Sequence, residues 1–355
     1  MRVALDISPI EGTASLQHRV RGTGFYTKNL KEALLKYDKK NSYTFFSRGQ
    51  VVPNADITHY PYFEPFFLSL PFFHSQKTVV TVHDLTPLVF PNNFPSGIKG
   101  KIKWNIQKTA LQKANAIIAD SESSKKDIVK FTNIPQEKIF VVYLAAGNEF
   151  KKVQISEKKK KELYKKYNLP EKFCLYVGDI TWNKNLPRII SAATEVKIPL
   201  VLVGKALVQE DYDKTNPWNS DRNKVFELIK NNPYIYRTGF VTDEDLVMLY
   251  NLAIASVMPS LYEGFGLPVL EAMSCGSPVI TSKEGSLPEV AGEAALYVDA
   301  YDSNSIANGM KTFFNDSEMQ KRFAEKGLKQ AQQFLWEKTA KETIAVYEKA
   351  YSNNY

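Results

Sequence analysis

The feature that most constrains this chain is a series of short, continuously apolar runs that alternate with stretches of helical spacing. Residues 78–82, 173–177 and 199–203 are clear examples, and each run leads into a polar or glycine-bearing loop. Continuously apolar strands are typical of a parallel sheet that is covered on both faces. The alternation therefore predicts an α/β fold, in which ligands bind beyond the carboxyl ends of the strands.

The length of the chain indicates two domains, because 355 residues are many for a single hydrophobic core. A run of four lysines, residues 158–161, lies in a polar stretch, after which the apolar run 173–177 restarts the alternation. We therefore predict an N-terminal domain over residues 1–165 and a C-terminal domain over residues 166–335. The lysine run is either a solvated helix face or a point of attachment to an acidic membrane.

Composition and charge exclude several classes of protein. With 44% hydrophobic and 24% charged residues, the chain is globular rather than disordered. Its net charge of +8 permits anionic partners, but no zinc-finger or ribonucleoprotein signature accompanies the charge, so nucleic acid is not expected. No apolar run approaches the roughly 20 residues that cross a bilayer, and no signal peptide is apparent, so a cytoplasmic location is expected.

The sequence offers little for a metal ion. Cys174 and Cys275 are too few for a disulfide framework and lack the spacing of metal ligands. Asp211 and Asp213 could hold a divalent ion, but they lie in a polar stretch without a preceding apolar strand. We interpret this pair as a surface feature and expect neither a metal nor another cofactor.

The stretch 260–273, Ser-Leu-Tyr-Glu-Gly-Phe-Gly-Leu-Pro-Val-Leu-Glu-Ala-Met, follows the apolar run 254–259 and predicts a strand, a glycine loop and a helix. Pro268 suits the first turn of that helix. The open helix N-terminus suits a phosphate, and Glu263 and Glu271 place two carboxylates beside it. The combination indicates a ligand with both phosphates and hydroxyls, such as a nucleotide sugar. An ordinary strand–helix junction with capping glutamates is the alternative.

Other strand ends supply further candidates. His83 follows the run 78–82 and is either a structural or a functional histidine. Lys184 lies in the loop 178–185, between a strand and a helix, where it could neutralise a diphosphate; an ordinary surface lysine is the alternative. Lys205 repeats the pattern after the run 199–203.

Gly22 and Gly24 lie in a predicted loop before a helix that starts at Phe25. The loop resembles part of a dinucleotide fingerprint, but the third glycine is absent and no acidic residue closes the strand 43–46. A nicotinamide cofactor is therefore disfavoured. The glycines either let the backbone approach a ligand or simply form a turn.

An aromatic stretch, residues 60–73, contains three prolines that argue against a regular helix or central strand. It either packs beneath the neighbouring helix or touches lipid or an apolar acceptor. The helix predicted over residues 98–114 carries lysines throughout.

Several of these loops together resemble the family 4 retaining glycosyltransferases. The resemblance rests on Glu-Gly-Phe-Gly-Leu-Pro-x-Leu-Glu at 263–271, on Gly-Ser-Leu-Pro-Glu-Val-Ala-Gly at 285–292, and on the loops at 22–26, 82–85, 121–123 and 183–185. It implies the GT-B fold, two Rossmann-like domains facing a central cleft, with the helix 336–355 crossing back to the N-terminal domain. Within the family the chain is most similar to bacterial mannosyltransferases of surface-polysaccharide assembly.

The resemblance also implies roles for individual residues. Glu263 would contact the hydroxyls of the donor sugar, Glu271 the ribose and Lys184 the diphosphate. His83 would lie beside the transferring sugar, and the loop with Gly22 and Gly24 would close over the phosphates. His83, Glu263 and Lys184 are the implied catalytic residues. The implied donor-binding residues are Gly22, Gly24, Asn183, Lys184, Glu263, Gly264, Phe265, Gly266, Leu267 and Glu271.

One departure concerns the diphosphate. Relatives carry an arginine near the loop lysine, whereas Asp179 and Asn183 occupy the candidate positions here, which leaves Lys205 as a substitute cation.

The implied reaction moves a hexose, mannose from GDP-mannose, to a hydroxyl of a glycan or lipid-linked acceptor with retention of configuration and without a metal. A glycoside hydrolase, a nucleotide-sugar epimerase and a non-catalytic sugar-binding protein are the alternatives, and peripheral contact with an anionic membrane stays open.

Overall fold

The computed structural model describes residues 1–11, 21–73 and 76–352. The chain divides into two compact units, the first formed by residues 1–145 with the C-terminal segment from Phe334 onward, and the second by residues 146–333. The division falls between Ala145 and Ala146, earlier than the predicted boundary at 165/166. The lysine-rich helix that was predicted to end the first domain thus belongs to the second unit.

The strands are β1 Arg2–Asp6, β2 Ser42–Phe46, β3 Ile57–Tyr60, β4 Lys77–Val82, β5 Ala116–Ala119, β6 Ile139–Val141, β7 Cys174–Val177, β8 Leu200–Val203, β9 Ile235–Gly239, β10 Ala255–Met258, β11 Val279–Thr281 and β12 Ala295–Tyr297. The helices are α1 Ser8–Glu11, α2 Arg21–Tyr37, α3 Thr86–Val89, α4 Gly97–Gln112, α5 Glu122–Thr132, α6 Glu157–Tyr167, α7 Leu186–Glu195, α8 Ser220–Ile229, α9 Asp243–Leu252, α10 Leu267–Ser274, α11 Leu287–Ala291, α12 Ser303–Asn315, α13 Ser317–Ala331 and α14 Trp336–Ser352.

Within the described residues, each unit contains one sheet of six parallel strands. The order is β2-β1-β3-β4-β5-β6 in the first unit and β12-β11-β10-β7-β8-β9 in the second. Read from β9, the second sheet has the Rossmann order 3-2-1-4-5-6, and its strand order reverses between β7 and β10. The predicted α/β fold with two Rossmann-like domains is confirmed.

The central strands are apolar throughout because both of their faces are covered. All four residues of β8 and of β10 are buried, as are all four of β5. In the second unit, side chains of β7 and β8 join those of α7 and α12 in one apolar core. The rigid sheet therefore fixes the positions of the loops that leave its strands.

The last helix packs within the first unit. Tyr347 of α14 is fully buried, and its hydroxyl hydrogen-bonds His59 Nδ1 of β3 over 2.7 Å. The Thr339 hydroxyl of α14 donates to the carbonyl of Tyr143 over 2.7 Å. Burial lowers the pKa of His59 to about 3, so this histidine is a neutral part of the core.

The structure corrects the prediction of a loop at Gly22 and Gly24, since both glycines lie within α2. Each glycine disfavours a helix by about 1 kcal/mol relative to alanine. That cost is offset by burial along one face of α2, where Tyr26, Leu30 and Leu34 recur at intervals of four residues. A turn was the wrong interpretation because tertiary packing outweighs local propensity here. A role of these glycines at the donor stays a prediction.

Candidate active site

Two loops of the second unit meet where the strand order reverses. β7 lies between β8 and β10, so the loops that follow β7 and β10 emerge side by side at the carboxyl edge of the sheet. The backbone N–H of Leu261 donates to the carbonyl of Asn183 over 2.7 Å, and Asn183 Nδ2 donates to the carbonyl of Tyr262 over 3.0 Å. Open α/β sheets bind ligands in the crevice at such a point.

Lys184 and Glu263 form an ion pair between these two loops. Lys184 Nζ lies 2.8 Å from Oε1 and 2.7 Å from Oε2 of Glu263. The Ser260 hydroxyl donates to Oε1 over 2.7 Å. Both charged side chains are largely buried, at 23% and 13% exposure, so solvent screens their attraction less than at an open surface. The sequence placed these residues at one ligand but did not predict that they bind each other.

Helix α10 begins directly behind this pair. Gly266 is its N-cap residue with φ of +104°, a conformation that favours glycine, and a side chain there would also approach Leu287. Pro268 lies in the first turn as predicted, and within the described residues no side chain caps the helix. The N-terminus of α10 therefore keeps its positive dipole end available for an anion.

A small cleft opens at the junction of Lys184, Glu263 and the start of α10. It combines a cation, a carboxylate, hydroxyl groups and an apolar floor. The residues that line it are Tyr176, Val177, Lys184, Met258, Ser260, Glu263, Gly266, Pro268, Val269 and Leu287.

The loop after β11 is hydrogen-bonded to the glycine-bearing loop that precedes α10. The hydroxyl of the fully buried Ser286 donates to the carbonyl of Phe265 over 2.8 Å and lies 3.0 Å from the carbonyl of Glu263. Gly285 has φ of +58°, and a Cβ there would lie 2.7 Å from the Glu263 carbonyl oxygen. Ser286 was not among the predicted site residues. Its position after a strand, before a Leu-Pro helix start, was the available signal.

Glu271 lies one turn into α10, as predicted, but it is not among the residues that line the cleft. Its Oε2 accepts a hydrogen bond from the hydroxyl of buried Tyr250 over 3.1 Å. Burial, together with the charges of Asp243 and Glu149, raises the pKa of Glu271 to about 7 against the opposing effect of this bond. Glu271 is thus poised between its neutral and charged forms near neutral pH.

His83 follows β4 in the first unit and is held at both ring nitrogens. Nδ1 lies 2.6 Å from Asp120 Oδ2, and Nε2 lies 3.1 Å from the carbonyl oxygen of Pro61. Because both partners are acceptors, the charged imidazolium satisfies both contacts. Burial alone would lower the pKa of His83, but the charge and hydrogen bond of Asp120 outweigh it and raise that pKa. Asp120 could have been anticipated, since it directly follows β5, the neighbour of β4.

Asn183 has a structural task in the loop after β7. Its Oδ1 accepts from the Thr181 hydroxyl over 2.8 Å, while its Nδ2 holds the Tyr262 carbonyl. A direct contact between Asn183 and the donor stays a prediction.

The second cation remains a prediction as well. Lys205 is exposed after β8. Arg222 is held in the loop beyond it, donating to the carbonyls of Ala206 and Gln209, and its guanidinium lies 3.9 Å from the ring centre of Tyr212.

The structure agrees with the surface interpretation of the aspartate pair. Asp211 and Asp213 are exposed, and Asp213 Oδ1 accepts from the backbone and hydroxyl of Thr215 in a local turn. Across residues 1–11, 21–73 and 76–352, no three His, Cys, Asp or Glu side chains form a group that could hold a metal ion.

Comparison with known proteins identifies the family and agrees with the fold. The sequence-family model for glycosyl transferases group 1 matches residues 155–330. The sequence-family model for glycosyltransferase family 4 matches residues 16–145. Sucrose-phosphate synthase from Thermosynechococcus elongatus superposes with a TM-score of 0.75 at 19% identity, over the full length of both chains. The architecture is the GT-B fold.

Two curated relatives from Escherichia coli are similar in sequence. O-antigen chain mannosyltransferase B is 32% identical over 285 residues, which cover 77% of this chain and 70% of the relative. Serotype-specific mannosyltransferase WbdA is 30% identical over 274 residues, or 74% of this chain, and the match spans only 32% of that longer protein. The chain belongs to glycosyltransferase family 4, and it is a glycosyltransferase.

Proposed function

We propose that this glycosyltransferase moves a mannosyl group from GDP-mannose to a hydroxyl of a glycan or lipid-linked acceptor during assembly of a surface polysaccharide. The two relatives from Escherichia coli are both mannosyltransferases, and one of them is an O-antigen chain mannosyltransferase, which supports the proposed sugar and product. We further propose that the configuration at the anomeric carbon is retained and that the reaction proceeds without a metal ion.

The observation that carries the proposal is the Lys184–Glu263 pair at the N-terminus of α10. A nucleotide sugar has an anionic diphosphate and a hydroxyl-rich ring, and this site offers a cation with a helix dipole beside a carboxylate. When the donor binds, Lys184 exchanges the carboxylate for a phosphate oxygen. Glu263 is then released to accept hydrogen bonds from the sugar hydroxyls, while Ser260 continues to orient it.

This exchange favours transfer because charge develops on the leaving group. As the bond between the anomeric carbon and the phosphate oxygen breaks, its electron pair goes to the diphosphate, where Lys184 and the start of α10 stabilise it. The acceptor oxygen bonds to the anomeric carbon from the same face, and its proton passes to the leaving phosphate. Retention therefore requires no protein nucleophile. Because Lys184 and the helix dipole of α10 stabilise the charge of the leaving diphosphate, the proposed reaction needs no metal ion for this purpose.

One feature supports a cytoplasmic site of action. Cys174 and Cys275 are both unpaired and buried, which fits a reducing compartment. In the part of the chain that the structure describes, no helix is long and apolar enough to cross a membrane.

The test is transfer from labelled GDP-mannose to a mannose-terminated acceptor, with the configuration of the new bond read by NMR. GDP-mannose is α-linked, so an α-mannoside is expected; UDP-glucose and UDP-N-acetylglucosamine are the donor controls. A β-mannoside would overturn retention, and transfer from the UDP sugars alone would overturn the choice of donor. Equal release of GDP with and without acceptor would indicate a hydrolase instead.

A further inference from the structure

Helix α4 exposes an apolar stripe to solvent on the first unit. Ile98 is 80% exposed and Ile102 is 56% exposed, and Ile106 continues the row at the same interval of four residues. The opposite side of α4 is buried, through Gly100, Gln107 and Leu111. An isoleucine row that faces water on a helix already packed along its other side is not needed for the core of the protein.

Lysines flank this stripe on both sides. At 100° per residue, Lys99 and Lys103 lie on one side of the isoleucine row, and Lys101 and Lys108 lie on the other. Helix α4 contains no aspartate or glutamate. An apolar row between two rows of cations is the pattern of a helix that lies in the interface of an anionic bilayer.

The end of the aromatic stretch 60–73 extends this surface. Phe73 is 82% exposed, and Phe72 packs against it with ring centres 5.1 Å apart. Lys113, directly after α4, places its Nζ 3.9 Å from the ring centre of Phe72. The remainder of the stretch is tied to α4, since Gln107 Oε1 accepts from the backbone N–H groups of Ser69 and Leu70. The phenylalanines and the helix thus form one supported surface.

We infer that this surface, hereafter the α4 patch, docks the enzyme on a bilayer containing anionic phospholipid. The patch consists of Ile98, Ile102, Ile106, Phe72, Phe73, Lys99, Lys101, Lys103, Lys108 and Lys113. The apolar side chains enter the boundary of the acyl chains while the lysines meet the phosphate headgroups. The other lysine-rich helix, α6, does not offer this combination, because its leucine, Leu163, is buried.

The test is flotation of the full-length protein with vesicles of phosphatidylcholine, alone or with one-third phosphatidylglycerol. Binding is expected only to the anionic vesicles. The I98S/I102S variant should lose roughly tenfold or more of this binding, because interfacial binding scales with the apolar area that enters the bilayer. The K99Q/K101Q variant should lose about 30-fold, because each lysine near an anionic surface contributes about fivefold. The matched controls are K158Q/K161Q on α6 and L35S/V51S at exposed apolar positions elsewhere in the first unit, and both should bind like the wild type.

A thermal midpoint equal to that of the wild type shows that a variant is folded. Because the vesicle measurement requires no catalysis, its outcome is independent of the proposed function. Equal binding to both vesicle types would overturn the inference, and so would wild-type binding by both α4 variants. Loss of binding in the α6 variant alone would assign docking to the lysine run 158–161 and would equally contradict it.

Discussion

Lys184 and Glu263 lie on loops that follow different strands of the second sheet, yet Lys184 Nζ is within 2.8 Å of both carboxylate oxygens of Glu263. The hydrogen bonds of Asn183 to the backbone of Leu261 and Tyr262 hold the two loops at this spacing. The groups proposed to contact the diphosphate and the sugar therefore form one unit, and the effect of changing either depends on the other.

Replacement of Lys184 by alanine should lower kcat/KM by about 10²–10³, the usual loss when one preorganised group that stabilises a leaving anion is removed. Lys283→Ala, at an exposed lysine of the neighbouring loop, is the matched control and should retain activity. Steady-state kinetics with GDP-mannose measure both variants. A kcat/KM within about twofold of the wild type for Lys184→Ala would exclude the role at the diphosphate.

A double-mutant cycle of Lys184→Ala and Glu263→Gln should be non-additive, because the first substitution leaves a partly buried carboxylate without its cation. The expected coupling is on the order of 1–2 kcal/mol in kcat/KM. The four proteins are compared in the same transfer assay. Additivity within about 0.3 kcal/mol would show that the two side chains act independently.

Ser286→Ala should raise KM for the donor and lower the thermal midpoint. It removes the hydroxyl that donates to the Phe265 carbonyl, and the loss of a typical hydrogen bond costs about 0.5–1.5 kcal/mol. Ser274→Ala is the control, since that hydroxyl donates within α10, to the carbonyl of Leu270. An equal change of KM in both variants would show that the Ser286 hydroxyl does not hold the loop before α10 in the conformation that binds the donor.

Glu271 should make stability depend on pH. Its pKa of about 7 in the folded protein lies above the ordinary value of 4.5, so the folded state binds more protons between these two values. Stability should therefore fall as pH rises from about 4.5 through 7, by at most about 3 kcal/mol.

The measurement is the difference in thermal midpoint between Glu271→Gln and the wild type across this range. The difference should grow in favour of the variant as pH rises. Glu293→Gln, at an exposed glutamate, should follow the wild type at every pH. A constant difference for Glu271→Gln would contradict the raised pKa.

Activity should survive treatment with a chelator. The proposed site stabilises the leaving diphosphate with Lys184 and the start of α10, so EDTA followed by gel filtration should leave kcat/KM unchanged. Strict dependence on added Mg²⁺ or Mn²⁺ would disprove this arrangement and would direct attention to Asp211 and Asp213.

Much of the fold could be predicted from the sequence because strands and helix starts leave local patterns in it. The apolar runs became buried strands, and the sequence from Ser260 to Met273 became a loop and helix with Pro268 in the first turn. Gly22 and Gly24 were misread because the burial of Tyr26 and Leu30 in α2 depends on neighbours distant in the chain. The Lys184–Glu263 pair and the support from Ser286 likewise depend on strand order, which the spacing of runs does not reveal.

The central claim is that Lys184 contacts the diphosphate of a nucleotide sugar, and the thermal midpoint with and without GDP-mannose tests it most directly. A ligand that binds only the folded state raises the midpoint. We expect a clear rise for the wild type and for Lys283→Ala, and a much smaller rise for Lys184→Ala. Equal rises in all three proteins, or no rise in the wild type with any nucleotide sugar, would contradict it.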